Sequence, residues 1–305
     1  MSSTAIPFVK TFDFAYGEPD RLSPLVRRVI AENPGPFTYT GSGTYLVGPD
    51  EGPLAVIDPG PELASHLSAL LAAIGAAPVS HILVTHAHLD HSGGARALAE
   101  ATGAPVYAFT PEVAAPGAND APALEEGVDK SFAPDRFLAD GDTVSGSGWT
   151  IEAVHTPGHL SAHLCFALRE EKALFTGDHM MGWATTVIIP PDGDMADYFA
   201  SLDKCLARDD AIYYPTHGAP IAEPMKFTRA VKAHRRMRDG QILKQVETGR
   251  TSIREMVKAM YADVDPRLHP AAALSVYAHI IRLVRIGSLA TDGEPAMEGE
   301  YWTPA

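Results

Sequence analysis

Residues 81–94 read HILVTHAHLDHSGG, an apolar run followed within six positions by His86, His88, Asp90 and His91. The run HILVT has the apolar, β-branched character of a buried strand. A loop leaving a strand splays alternate side chains toward one point. His86 and His88 can then share one metal ion while Asp90 and His91 face a second. A mixture of imidazole and carboxylate suits zinc, and iron or manganese is compatible with the same donors.

Ligand types recur after three later apolar runs. His159 follows residues 149–154 in the turn Thr156-Pro157-Gly158-His159, Asp178 follows 173–175 in Thr176-Gly177-Asp178, and His217 follows 212–214 in Pro215-Thr216-His217-Gly218. Singly, each reads as a turn or cap residue. In a sheet sandwich, however, loops from one edge of the strands converge on a single rim. The expectation is therefore a seven-ligand site: His86, His88 and His159 for one ion, Asp90, His91 and His217 for the other, and Asp178 bridging both. One zinc ion takes about four ligands, so five His and two Asp imply two ions.

The rest of the chain fits around this motif. Residues 43–48 (GTYLVG) and 54–58 (LAVID) read as a hairpin, residues 62–74 as a helix ending at Gly75, 94–101 as a helix, 105–109 and 164–168 as strands, and 195–206 as a helix. Residues 111–133 read as a loop-rich insertion. Hairpins mixed with strand-helix-strand units predict layered sheets covered by helices, an α/β fold. The tail differs: a long helix over 226–246, a second opened by the capping-box sequence Ser252-Ile253-Arg254-Glu255, a third over about 270–286, then a turn at Thr291-Asp292-Gly293-Glu294 between short strands. This order suggests a winged-helix-like module, with a division into 1–224 and 225–305.

Composition excludes several classes. With 46% hydrophobic and 20% charged residues among 305, the chain is neither disordered nor fibrous. No run approaches the length of a membrane span, and the first 20 residues lack the basic and apolar regions of an export signal, so a cytoplasmic location is expected. Cys165 and Cys205 fit no disulfide or metal framework and read as small buried hydrophobes. The net charge of −14 is uneven: residues 226–290 carry 13 Lys plus Arg and 5 Asp plus Glu, a local +8, leaving −22 elsewhere. Arg235, Arg236 and Arg238 are the cations through which such a tail would gather phosphates, although the same face can serve as a homodimer interface.

The motifs THAHLDHSGG, HTPGH, FTGD and YPTHG resemble, in order and spacing, those of the metallo-β-lactamase-fold hydrolases. That resemblance implies an αββα sandwich with a dinuclear metal site. Asn33-Pro34-Gly35-Pro36-Phe37-Thr38, the stretch 182–187 (GWATTV) and the basic tail are similar to the β-lactamase-like protein 2 group, whose members append a winged helix and whose mitochondrial animal member is an endoribonuclease on single-stranded RNA. Ala87 and Gly43 stand where that group usually has an aromatic residue and Asn.

Two zinc ions sharing a water lower its pKa toward neutrality and present hydroxide to a carbonyl or phosphorus. No G-x-S-x-G nucleophile elbow is present. Asp90 is placed to ligate a metal and to accept a proton. Thr85 and Ser92 flank the ligand loop as supports. His163 and His179 are candidates for orienting a ligand or lining the cleft, with Phe37, Tyr39, Trp183 and Thr185 above the metals. The expected activity is hydrolysis of a small-molecule ester, thioester, lactone or phosphodiester. Cleavage of single-stranded RNA is the alternative, and β-lactamase activity a more distant one.

Overall fold

A strand that is apolar on both faces must be covered on both sides, and that requirement organises the sandwich. The computed structural model describes residues 5–109, 127–263, 265–266 and 269–304. The greater part of the expected 111–133 insertion lies outside these residues. One sheet has seven strands in spatial order β1 (Pro19–Arg21), β2 (Val26–Ile30), β3 (Gly43–Val47), β4 (Leu54–Ile57), β5 (Val79–Leu83), β6 (Val106–Phe109) and β7 (Arg136–Leu138). The second runs β12 (Ile212–Pro215), β11 (Ala173–Gly177), β10 (Leu164–Leu168), β9 (Trp149–His155) and β8 (Thr143–Gly146).

Between the sheets lies a core that includes Tyr45, Ile57, Leu83, Trp149, Phe166 and Phe175. The alternate residues of the same strands face helices. Leu46, Val56 and Ile82 pack with Leu70 and Ile74 of α1 (Ala64–Ile74) and Leu98 of α3 (Ala95–Thr102). Cys165, Leu174 and Tyr213 pack with Leu202 of α4 (Met195–Leu206) and with Phe227 and Val231 of α5 (Pro224–Glu247). The period-2 alternation of these strands thus produces the four layers αββα.

Strand direction sets the position of the site. In the second sheet β9 and β11 both run antiparallel to β10, and β12 is parallel to β11, so the C-terminal ends of β9, β11 and β12 share one edge. In the first sheet β4 and β5 are parallel and end together. Every side chain of the predicted seven-ligand set follows the end of one of these strands.

The tail supplies α5, α6 (Ile253–Met260) and α7 (His269–Arg285), with a core of its own that includes Ile242, Val246, Met256, Ile280 and Tyr301. The capping box forms as expected: the Ser252 hydroxyl accepts from Glu255 N while the Glu255 carboxylate accepts from Ser252 N. The expected wing is smaller than a hairpin. Among the described residues it consists of the isolated bridges Ser252–Glu300 and Ala290–Trp302. No helix among the described residues is long and apolar enough to cross a membrane.

Candidate metal centre

The chain bends after β5 at Thr85 and His86 and is extended at His88, which bridges Val128, but Leu89–Ser92 closes into one helical turn, α2, rather than remaining a loop. The turn puts Asp90 and His91 on adjacent faces of one element, with the Ser92 hydroxyl donating to His88 O at 3.0 Å. His86, His88, Asp90, His91, His159, Asp178 and His217 are all brought together, and all are buried.

Three overlapping groups of donor atoms form: His86 with His88 and His159; His86 with His91 and Asp178; Asp90 with His91 and His217. His88 Nδ1 is 2.8 Å from His86 Nε2 and 3.1 Å from His159 Nε2. Nitrogens bound tetrahedrally to one zinc stand about 3.3 Å apart, so these three imidazoles fit a shared ion. In the other group His217 Nε2 lies 3.0 Å from Asp90 Oδ2 and 3.3 Å from His91 Nε2. Asp178 stands between them: its Oδ1 is 3.5 Å from His91 and 3.4 Å from His217, and its Oδ2 is 4.0 Å from His159. That Oδ1 is buried and accepts no hydrogen bond, an arrangement costly for a carboxylate unless a cation occupies the space it faces.

The two groups differ electrostatically. Burial, reinforced by neighbouring imidazoles, holds His86 well below the usual imidazole pKa and His88 at about 3. His91 moves the other way: burial opposes its charge, yet the carboxylates of Asp90, Asp178 and Asp58 together raise its pKa well above normal. Burial also opposes charge on His217, and Asp178 and Asp90 outweigh it there too. Burial disfavours the Asp90 and Asp178 carboxylates, but His91 and His217 hold Asp90 down at about 2, and His217 and His91 put Asp178 below the carboxylate range.

The support behind these side chains includes residues the sequence reading missed. Asp58, wholly buried after β4, accepts from Thr85 N at 2.8 Å, Thr85 Oγ1 at 2.9 Å, Thr216 Oγ1 at 2.8 Å and His91 Nδ1 at 2.8 Å. The Nδ1–H bond turns His91 Nε2 inward, an orientation typical of metal-binding histidines. Its signal was in the sequence: Asp58 ends an apolar strand as the predicted ligands do. His159 Nδ1 donates to Val187 O at 2.7 Å, and Thr186 Oγ1 lies 3.2 Å from the same nitrogen. His163 sits behind the rim, accepting from Asp178 N at 3.2 Å, and Gly177 leaves it room, because a Cβ there would lie 2.7 Å from His163 Nε2. His179 is buried against Tyr198, with neither ring nitrogen hydrogen-bonded.

Of the expected cleft residues, Tyr39, Trp183 and Thr185 lie together. The Trp183 ring stacks on Tyr39 at 4.7 Å, and Trp183, Ala184 and Thr185 line a groove of about 680 Å³ with Ile6, Phe8 and Met237. Their loop touches both sides of the site, since Gly182 N donates to His217 O and Val187 O holds His159. Of the cations expected to gather phosphates, Arg235 is buried, donating to Thr186 O at 2.5 Å.

Fold and motif together define a class. Residues 40–217 match the metallo-beta-lactamase superfamily and residues 252–295 match the beta-lactamase associated winged helix domain; the chain belongs to that superfamily and is a hydrolase with donor clusters suited to a divalent metal. Among its relatives, an atrochrysone carboxyl ACP thioesterase from Cryptosporiopsis sp. (strain 8999) is 31% identical over 300 residues, covering 92% of this chain and 84% of that protein. A beta-lactamase-like protein 2 homolog from Caenorhabditis elegans is 29% identical over 275 residues, covering 88% and 87%. The crystal structure of a beta-lactamase domain protein from Burkholderia ambifaria shares the fold, with a TM-score of 0.78 at 20% identity over 98% of this chain and 97% of that one.

Proposed function

We propose that the chain is a dinuclear metal hydrolase of apolar acyl thioesters, in which His86, His88 and His159 hold one ion, Asp90, His91 and His217 the other, and Asp178 both. The observation that carries this reading is the position of Asp178, whose two oxygens face the two donor groups separately. Zinc is the ion best matched to the donors, with iron or manganese as alternatives. Two such ions, when bound, supply Lewis acidity at a carbonyl and make water acidic enough to attack it near neutral pH.

The chain's own groups do the remainder. Asp90 is ionised at neutral pH, and its carboxylate, with Oδ2 against His217 and His91, would accept the proton of the attacking water. Asp58, Val187 O and Gly41 O fix the rings of His91, His159 and His217. Neither cysteine serves as nucleophile: burial pushes the Cys165 thiol up to about 12 and the Cys205 thiol well above its usual value.

The substrate class is supported by the groove beside Trp183, where Ile6, Phe8, Ala184 and Met237 offer apolar surface to an acyl chain, with Lys10 and His234 among its polar members. The thioesterase name of the Cryptosporiopsis relative points the same way. Five of the tail's 13 Lys and Arg, namely Lys226, Lys232, Lys244, Arg282 and Arg285, are in ion pairs and Arg235 is buried, which reduces the charge free to meet RNA. The test is a panel on metal-loaded protein: acyl-pantetheine thioesters, p-nitrophenyl esters, a lactone, bis-p-nitrophenyl phosphate, a β-lactam and labelled single-stranded RNA. Thioesters should be turned over fastest. Cleavage of RNA with no thioester turnover overturns the proposal.

A further inference from the structure

A side chain of α5 carries a hydrogen bond from the appended helices to the segment that holds His159. Arg235 projects from α5 and is 4% exposed, yet it makes no ion pair among the described residues. Its i+4 neighbour Asp239 would be the ordinary partner on a helix. Both oxygens of Asp239 are instead taken by α7, one by His279 Nδ1 and one by Arg282 Nη1, each at 2.7 Å. Arg235 is left with the Tyr198 ring, 5.3 Å away, and with Thr186 O as acceptor at 2.5 Å, while its Nε is buried without a partner.

A buried cation without a carboxylate is expensive, and an apolar side chain of similar length would pack at lower cost. What the guanidinium holds is therefore the informative part. The Thr186 carbonyl belongs to the peptide linking Thr186 to Val187. The hydroxyl of Thr186 lies 3.2 Å from His159 Nδ1, and the next carbonyl, Val187 O, accepts that Nδ1–H at 2.7 Å. Fixing this peptide fixes the ring of His159 and keeps its proton on Nδ1, so that Nε2 turns toward His88. From the tail to the rim the connection is unbroken: α7 occupies Asp239, Arg235 is freed for Thr186, and Thr186 and Val187 orient His159.

We propose that Arg235 is a positioning residue for His159, through which the appended module sets the affinity of the three-histidine metal position. The inference rests on reading His86, His88 and His159 as metal ligands, and the experiment separates the two. Chelator-treated full-length protein is titrated with zinc by calorimetry and with cobalt by visible absorption. This is done for the wild type, for Arg235→Met, for Arg235→Gln, which falls short of the carbonyl, and for Lys232→Met, which breaks the α5 contact to Asp203 at a distance from the rim.

In Arg235→Met one of two equivalents should bind about tenfold more weakly, with a changed cobalt spectrum and with urea stability equal to or above wild type. Arg235→Gln should weaken the same equivalent, and Lys232→Met should bind as wild type does. If Arg235→Met fails to fold, Arg235→Gln decides the matter alone. Two equivalents bound with wild-type affinity and spectrum by whichever Arg235 variant folds overturn the inference while leaving the metal assignment standing. A wild type that binds no divalent ion overturns the assignment itself.

Discussion

Replacing Asp58 by Asn keeps the shape of the side chain and removes one acceptor. In the native arrangement Oδ1 accepts from Thr85 N, and Oδ2 accepts from Thr85 Oγ1, Thr216 Oγ1 and His91 Nδ1. An amide can present its oxygen to only one of these sets. Facing the three donors at Oδ2, it turns its NH2 against Thr85 N–H and leaves a buried donor unpaired, at about 1–3 kcal/mol. The three surviving bonds change from charge-assisted to neutral, each weakened by roughly 1 kcal/mol. Since part of this loss relaxes, the expected destabilisation is about 4 kcal/mol, measured as the difference in urea unfolding between chelator-treated wild type and Asp58→Asn. The His91 ring also loses its anchor, so the ion assigned to Asp90, His91 and His217 should bind about 10–100-fold more weakly. A variant within about 1 kcal/mol of wild type and with unchanged affinity would refute the role of Asp58 as keystone of the rim.

Four further outcomes are expected. His91 and His217 carry raised pKa values and must lose their protons to bind metal, so affinity at their position rises with pH up to those values, whereas His86 and His88, held well below neutrality, have no protons to lose. Calorimetry in buffers of different ionisation heat should find roughly one to two protons released with one equivalent and almost none with the other; equal release contradicts this. Asp178→Ala should lose one of two equivalents along with activity, while Asp90→Asn keeps more metal and loses turnover, and wild-type turnover in Asp90→Asn removes its proton-accepting role. The buried Cys165 and Cys205 should resist a thiol reagent until the chain is unfolded; prompt labelling of folded protein would show that the second face of the sandwich opens. Arg236→Glu combined with Arg254→Glu should leave thioester hydrolysis within about twofold of wild type, and a larger loss would place the tail's cations in substrate capture.

The sandwich and the donor set were legible because both obey local rules. Strands such as Leu164–Leu168 announce themselves by being apolar on both faces, and the candidate ligands stand just beyond strand ends where a converging rim needs them. Strand β2 was not legible: Val26–Ile30 reads VRRVI, and nothing local says that Arg28 is buried, donating to Gly218 O and Asp20 and lying 5.0 Å from the Phe12 ring. Arg235 was misread for the same reason. Counting it among phosphate-gathering cations assumes a solvated helix face, and only tertiary packing turns that face onto Tyr198 and Thr186. Asp58 carries the same strand-end signal as the ligands, but reading 54–58 as one strand of a hairpin counts it inside the strand, and its four donors come from residues 27 to 158 positions away.

Helix α5 is a beam shared by two rooms. Phe227 and Val231 near its start belong to the core under the second sheet, and Ile242 and Val246 near its end belong to the core of the tail. A chimera that exchanged tails between relatives at residue 224 would strip apolar side chains from the hydrolase and graft foreign ones in their place. The tolerant seam is the turn after Glu247, where Thr248 and Gly249 close the helix and exposed backbone begins. Met237, on the groove side of α5, is exposed and belongs to neither core, so the groove can be varied there while both ends of the helix stay packed.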